Sequence, residues 1–224
     1  MRRDEPEAAV KFLEKAAEFA PGSSEYQRRL GDAYGRSAQK AGTLSKLGWA
    51  RKSRAAYAKA VELDPANFDA RFSLLSYYQQ APGIAGGGMD KAYAEAEEIR
   101  KRDPARGRLA FAQLYLSEKR HTEAFALFDE TLRAAPDDYA ALYQLGRLAA
   151  LTGERLDDGA AALRRCLATP PPPDQPSHAA AHWRLGMIEE KRPDPAAARA
   201  AYTAALEVDP NFRQARESLA KLKP

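Results

Sequence analysis

A proline closes an apolar stretch six times along the chain, and this recurrence limits the available folds more than any other feature. Successive prolines of the set are 44, 39, 32, 35 and 39 residues apart. Proline ends a helix because it lacks an amide hydrogen and its ring clashes with the preceding turn. Periods of roughly 20–50 residues are typical of repeat architectures. The closing prolines are Pro21, Pro65, Pro104, Pro136, Pro171 and Pro210.

Composition favours helices and excludes several classes of protein. The 224 residues include 47 alanines, and alanine is the strongest helix former. A formal net charge of +4, spread along the chain, is too mild to indicate a nucleic-acid partner. No apolar run reaches the roughly 18 residues that a membrane span needs, so no membrane partner is expected. The single cysteine excludes an intrachain disulfide framework.

Small and large residues recur in the same order inside each of five units, with a small residue in the first half of a unit and a large residue in the second half. Pairs of this kind are Leu30-Gly31 with Tyr57, Leu145-Gly146 with Leu163, and Leu185-Gly186 with Tyr202. The pattern, ending at the closing proline, resembles the tetratricopeptide repeat of bacterial proteins. The resemblance implies an all-α, right-handed superhelical solenoid of about five helix-turn-helix units with capping helices at both ends. Glycine would allow close helix approach, and the large residues would fill the space between helices.

The repeat phase predicts the organisation of a single domain over residues 1–224. Residues 37–49 exceed the pattern in the first unit and predict elongated helices there. A glycine-rich loop is expected at 81–88, and an extended proline-rich connection at 170–176. The predicted segments are a cap at 1–22, repeats at 23–66, 67–104, 105–138, 139–176 and 177–210, and a C-terminal cap helix at 211–224.

Three features invite a chemical interpretation, and each has a structural alternative. His178 and His182 have helical i, i+4 spacing, but no third metal ligand is evident, so packing is the favoured interpretation. Cys166 occupies a small buried position of the repeat and is expected to be inert. Gly83 and Gly88 have the spacing of a phosphate loop, but Met89 replaces its lysine and no strand precedes it. We therefore expect no metal, no cofactor and no enzymatic activity.

The resemblance also implies which residues line a binding groove, because the first helix of each repeat supplies it. Phe72, Tyr143 and Trp183 recur at one position and are expected to be exposed, with Trp183 as the best anchor. Arg147, one turn after Tyr143, is suited to pair with an acidic group of a partner. The predicted groove residues are Arg28, Asp32, Phe72, Ser76, Gln79, Leu109, Gln113, Tyr143, Arg147, Trp183 and Met187.

Aromatic residues with arginine are typical of binding hot spots, so the expected function is binding of a peptide or protein segment in an adaptor or assembly role. The alternative is a structural subunit whose groove or ends self-associate. Asp32 would repel a terminal carboxylate, which argues against the carboxylate-binding members of the family. The partner is not identified by the sequence. The compartment also stays open, between bacterial cytoplasm and, if a signal sequence was removed upstream, periplasm.

Overall fold

The computed structural model describes residues 6–222, and these residues form twelve α-helices and no strand. A single 3₁₀ turn, Gly83–Ala85, interrupts the helical pattern. The helices are α1 Pro6–Phe19, α2 Ser24–Lys40, α3 Thr43–Leu63, α4 Phe68–Gln80, α5 Met89–Arg102, α6 Pro104–Ser117, α7 His121–Ala134, α8 Tyr139–Thr152, α9 Leu156–Leu167, α10 His178–Lys191, α11 Pro195–Val208 and α12 Arg213–Lys221.

In the N-terminal part of the chain α2 packs against α3 and α4 against α5, and in the C-terminal part α8 packs against α9 and α10 against α11. Several of the first helices begin at a capping residue. The side chains of Asn67, Asp138 and Ser177 each accept a hydrogen bond from the backbone N–H three residues later. Such caps satisfy amide donors that have no partner inside the helix. The first pair is the longest, with 17 residues in α2 and 21 in α3. Residues 37–49, which exceed the repeat pattern, lie at the end of α2 and the start of α3.

The contacts divide the chain into two compact units, one ending at Leu114 and the other beginning at Tyr115. We call them the N-terminal unit and the C-terminal unit, and each is described by itself. The core of the N-terminal unit includes a cluster in which Leu75 of α4, Ile99 of α5 and Leu114 of α6 are buried together. Burial of these apolar side chains is the main favourable contribution to folding.

Close helix packing depends on glycine in both units, as the repeat pattern predicts. A Cβ added to Gly31 would lie 2.5 Å from ring carbons of Tyr57, and one added to Gly186 would overlap the ring of Tyr202. Tyr202 is fully buried, and Tyr57 is 9% exposed. The large side chain of each second helix thus occupies the space that the glycine of the first helix leaves open.

One buried ion pair joins α4 to α5. Arg71 donates from Nη1 to Oε1 of Glu95 at 2.6 Å and from Nε to the carbonyl oxygen of Pro65 at 2.7 Å. The two charged side chains are only 5% and 12% exposed. Burial raises the pKa of Glu95, and the hydrogen bond from Arg71 opposes that rise. The pairing with Arg71 is therefore what makes a buried carboxylate tolerable at this position.

The proline-rich connection contains a turn, so it is not extended throughout. The amide of Gln175 donates to the carbonyl oxygen of Pro172 at 3.2 Å, and Asp174 adopts a φ of +62°. None of the helices in residues 6–222 combines the length and the apolar character that crossing a bilayer needs.

Candidate functional site

An open pocket of about 730 Å³ lies in the N-terminal unit between α2, α3 and α4. Three aromatic side chains line it: Tyr57 of α3 and Phe72 and Tyr77 of α4. Its volume falls within the range of about 300–1,000 Å³ that is common for ligand sites. Arg28, Phe72 and Ser76, all predicted from the repeat register, line this one pocket.

The α2 wall of the pocket is an ion-pair network in which Arg28 is already engaged. Arg28 contacts Glu25 at 2.8 Å and Asp32 at 3.1 Å. The hydrogen bond from Arg28 lowers the pKa of Glu25 to about 2. Asp32 also accepts a hydrogen bond of 2.8 Å from the hydroxyl of Tyr57. Because Arg28 has two carboxylate partners, this wall is poorly suited to bind a further carboxylate.

Asp32 itself lies at a neighbouring, smaller pocket between α1 and α2 rather than in the larger one. That pocket has a volume of about 390 Å³ and also contains Arg28, together with Phe12 and Leu13 of α1. The larger pocket instead contains Asp69, at the start of α4, which sequence reasoning did not select. Asp69 makes no ion pair within 4 Å among the described residues, but after Glu25 and Asp32 it contributes to the raised pKa of Arg28, so its carboxylate faces that guanidinium and is open to a further basic or hydrogen-bonding group.

Two of the remaining predicted residues of this unit, Gln79 and Gln113, form a polar patch with Ser76 on α4 and α6. The side-chain amide of Gln113 donates to Oγ of Ser76 at 3.1 Å and to Oε1 of Gln79 at 2.9 Å. Leu109, one turn earlier on α6, is 36% exposed. Ser76 also lines the pocket, so the patch continues from the pocket edge along the first helices.

The glycine-rich loop fixes Tyr77 at the pocket. The hydroxyl of Tyr77 donates to the carbonyl oxygen of Ala85 at 2.7 Å. Gly86 and Gly88 adopt φ values of +87° and +148°, which residues with a Cβ rarely enter. The segment before the loop is helix α4 and not a strand, so the glycines serve the turn that holds Tyr77.

In the C-terminal unit, the expectation that Tyr143 and Trp183 are exposed is wrong. Tyr143 is 6% exposed, because α8 packs against α7, α9 and α10 and little of its surface stays open. Trp183 is half-buried: its indole N–H donates to Oγ of Ser218 at 3.1 Å, and its ring meets Phe212 edge-on at 6.0 Å. The C-terminal segment with α12 thus covers the residue proposed as the best anchor. Phe72 is also half-buried, but it keeps a face on the pocket.

Trp183 should therefore affect the docking of α12. We expect Trp183→Ala to lower the free energy of unfolding by about 1–3 kcal/mol, less than for a fully buried tryptophan. Hydrogen exchange of the α12 amides should become faster, since the contacts with Phe212 and Ser218 are lost. Leu151→Ala, which removes an exposed apolar side chain from α8, is the control and should leave α12 exchange unchanged. Unchanged exchange in Trp183→Ala would show that Trp183 does not hold α12.

Cys166 and the histidines have structural environments. Cys166 is fully buried, its thiol donates to the carbonyl oxygen of Tyr139 at 3.6 Å, and burial raises its pKa to about 12. A thiol with such a pKa is a poor nucleophile at neutral pH. His178 lies 2.8 Å from the carbonyl oxygen of Thr169, and burial lowers the pKa of His182. Residues 6–222 contain no cluster of three metal-ligating side chains.

Solved structures of low sequence identity share this fold. A tetratricopeptide repeat protein from Parabacteroides merdae superposes with a TM-score of 0.63 at 16% identity, over 98% of this chain and 78% of its own. A thermophilic tetratricopeptide repeat protein from Thermus thermophilus gives 0.59 at 20% identity, over 89% of this chain and 98% of its own. No curated protein matches the chain in sequence.

Family sequence models cover most of the repeat array. Two models described as the tetratricopeptide repeat match, one at residues 84–139, 109–172 and 148–211 and the other at residues 37–67. Together these matches span well over half of the 224 residues, and they include the pairs Gly146 with Leu163 and Gly186 with Tyr202. The chain belongs to the tetratricopeptide repeat family.

Proposed function

We propose that this protein is a non-enzymatic interaction module whose N-terminal unit binds a peptide or protein segment in the pocket between α2, α3 and α4. The observation that carries the proposal is the pocket itself, about 730 Å³ in volume with three aromatic side chains in its walls. Tetratricopeptide repeats generally serve as protein-binding scaffolds, and this supports the class of function. An adaptor or assembly role follows from such binding.

The walls of the pocket indicate what kind of segment it accepts. Phe72, Tyr57 and Tyr77 offer apolar surface to a large side chain of the partner. Ser76 and Gln80 add hydrogen-bonding groups, and Asp69 adds a carboxylate. Arg28 is neutralised by Glu25 and Asp32. The pocket therefore suits an apolar anchor beside a polar or basic group, not a terminal carboxylate.

The test begins with peptides selected from a random displayed library against the full chain, whose dissociation constants are then measured by calorimetry. Phe72→Ala should weaken binding by about 2 kcal/mol, or roughly 30-fold, as truncation of a hot-spot aromatic does. Phe19→Ala is the matched control, because Phe19 is 93% exposed on α1 and does not line the pocket. The Phe19→Ala variant should bind the selected peptides with the same affinity as the wild type.

Two outcomes contradict the proposal. One is that no peptide is selected, and the other is that selected peptides bind Phe72→Ala as tightly as the wild type. Urea unfolding of both variants shows whether a loss of binding follows a loss of folded protein. Light scattering at several concentrations tests the alternative, which is self-association of the protein. If the wild type forms a dimer and Phe72→Ala is a monomer, the pocket serves self-association and not the binding of a partner segment.

A further inference from the structure

The most exposed large apolar side chains among the described residues lie on α1. Phe19 is 93% exposed and Phe12 is 73% exposed. The two phenylalanines are seven residues apart, so they lie on one side of the helix, about 10 Å from each other along its axis. Val10 and Ala17, on the opposite side of α1, are buried in a core cluster of the N-terminal unit. The exposed side of α1 is therefore an apolar surface that no described element covers.

The smaller pocket between α1 and α2 opens beside Phe12, two helical turns away from Phe19. Its volume is about 390 Å³, and Phe12 and Leu13 belong to its apolar wall on α1. On the α2 side the pocket contains Asp32, whose charge is already neutralised by Arg28. The space is ample for a phenylalanine ring. One helix thus carries a projecting aromatic side chain and, at its other end, a hollow that can receive one.

The rim of this pocket is basic, whereas the residue next to the projecting ring is acidic. Arg29 and Arg36 of α2 line the pocket, and both are exposed. Arg29 already contacts Glu25 at 2.5 Å, but Arg36 makes no ion pair within 4 Å among the described residues. Glu18, beside Phe19, is exposed and has no ion-pair partner there either. These charges favour a contact that brings the end of one α1 to the beginning of another.

We propose that two copies of this chain pair through α1 in antiparallel orientation, with Phe19 of each copy in the pocket beside Phe12 of the other. A two-fold axis near Ala16 brings the two phenylalanines to the same level, and both contacts form together, as in any isologous interface. Glu18 of each copy then lies at the level of the basic rim, where Arg36 of the other copy can bind it. A second copy is therefore complementary to this surface in shape and in charge.

The last helix of the chain is a poor alternative occupant. On α12, Arg213, Arg216 and Lys221 are exposed against a single exposed carboxylate, that of Glu217. These cations would meet the arginines of the pocket rim, which disfavours pairing of α12 with α1. The paired surface is small, because α1 has only 14 residues. It falls below the roughly 800 Å² per partner of a standard interface, so we expect a weak, concentration-dependent dimer.

The test is sedimentation equilibrium of the full chain between roughly 10 μM and 1 mM, the range in which weak interfaces associate. The wild type should show a monomer–dimer equilibrium. Phe19→Ala should weaken dimerisation at least about 30-fold, as loss of a hot-spot aromatic does. Ile84→Ala is the matched control, because Ile84 is 72% exposed in the same unit but lies on the glycine-rich loop. Its dimerisation should equal that of the wild type.

A charge exchange tests the contact between Glu18 and Arg36. Glu18→Arg and Arg36→Glu should each weaken dimerisation roughly tenfold, because an attraction becomes a repulsion in two equivalent exposed contacts. The double variant Glu18→Arg/Arg36→Glu should recover most of the loss, since opposite charges again face each other.

Disulfide cross-linking with oxidised glutathione tests the orientation of the two helices. Ala16→Cys should link the copies, because residue 16 lies near the two-fold axis. Ala8→Cys should not, since antiparallel pairing leaves the two residues 8 about 20 Å apart along the helices. The native Cys166 is fully buried and does not compete.

Four results would overturn the proposal: a wild type that stays monomeric throughout the concentration range, a Phe19→Ala variant that dimerises as the wild type does, a charge exchange without recovery, and equal cross-linking at positions 8 and 16. The proposal does not depend on the pocket between α2, α3 and α4. Phe72→Ala should therefore leave the dimer intact, and a dimer lost in Phe72→Ala but kept in Phe19→Ala would assign self-association to that pocket instead.

Discussion

Arg71→Met is expected to lower the free energy of unfolding by about 3–5 kcal/mol, the usual cost of removing one partner from a buried ion pair. The variant leaves the carboxylate of Glu95, 12% exposed, without its guanidinium. The double variant Arg71→Met/Glu95→Leu should recover most of the loss, since no buried charge remains. Urea unfolding of the three proteins measures these differences.

The loss in Arg71→Met should depend on pH. Burial already raises the pKa of Glu95 above its ordinary value of 4.5, and removal of Arg71 takes away the opposing hydrogen bond. A carboxyl group whose pKa is raised in the folded state favours folding below its unfolded pKa, and that advantage is lost as pH rises. Arg71→Met should thus be less damaging at pH 4 than at pH 7.

Lys59→Met is the control for this experiment, because Lys59 pairs with Glu62 on the exposed surface of α3. Loss of an exposed ion pair costs only about 0–1 kcal/mol. Equal losses in Arg71→Met and Lys59→Met at pH 7 would show that the buried pair between α4 and α5 does not carry the stability assigned to it.

Gly146→Ala is expected to lower the free energy of unfolding by about 1–3 kcal/mol through overpacking. The new Cβ would overlap Cγ of Leu163 and lie 2.7 and 2.8 Å from its two methyl carbons. The loss should appear although alanine favours a helix over glycine by about 1 kcal/mol. Chemical denaturation checks the sign as well as the size of the change.

Two controls isolate the contact between α8 and α9. Gly48→Ala on α3 should raise stability by about 0.5–1 kcal/mol, since a Cβ there meets nothing within 4 Å. In a Leu163→Ala background, Gly146→Ala should cost less than in the wild type because the space beside Gly146 is open. The same cost in both backgrounds would mean that Leu163 does not set the requirement for glycine.

The fold could be predicted because its determinants recur in sequence. Each of Gly31, Gly146 and Gly186 faces a large residue on the next helix, and a proline follows at the end of the pair. These are contacts between consecutive helices, so the spacing within one unit is enough to anticipate them. The same register selected Arg28, Phe72 and Ser76, which line one pocket in the structure.

The exposure of a predicted site residue could be inferred from the sequence only where no segment outside the repeat pattern packs over it. Helical register places Tyr143 and Trp183 on the first-helix surface, but exposure depends on what packs there. For Trp183 that is Phe212 and Ser218, which no repeat pattern connects with it.

The most direct test of the central claim is to fill the pocket and measure the affinity of a selected peptide. Ala50→Trp places an indole in the pocket from α3, whereas Ala55→Trp adds the same side chain at an exposed position of that helix away from it. If the pocket holds the partner segment, Ala50→Trp should weaken binding at least about 30-fold, as loss of a hot-spot contact does. Ala55→Trp should bind as the wild type does. Undiminished affinity in a folded Ala50→Trp variant would contradict the account.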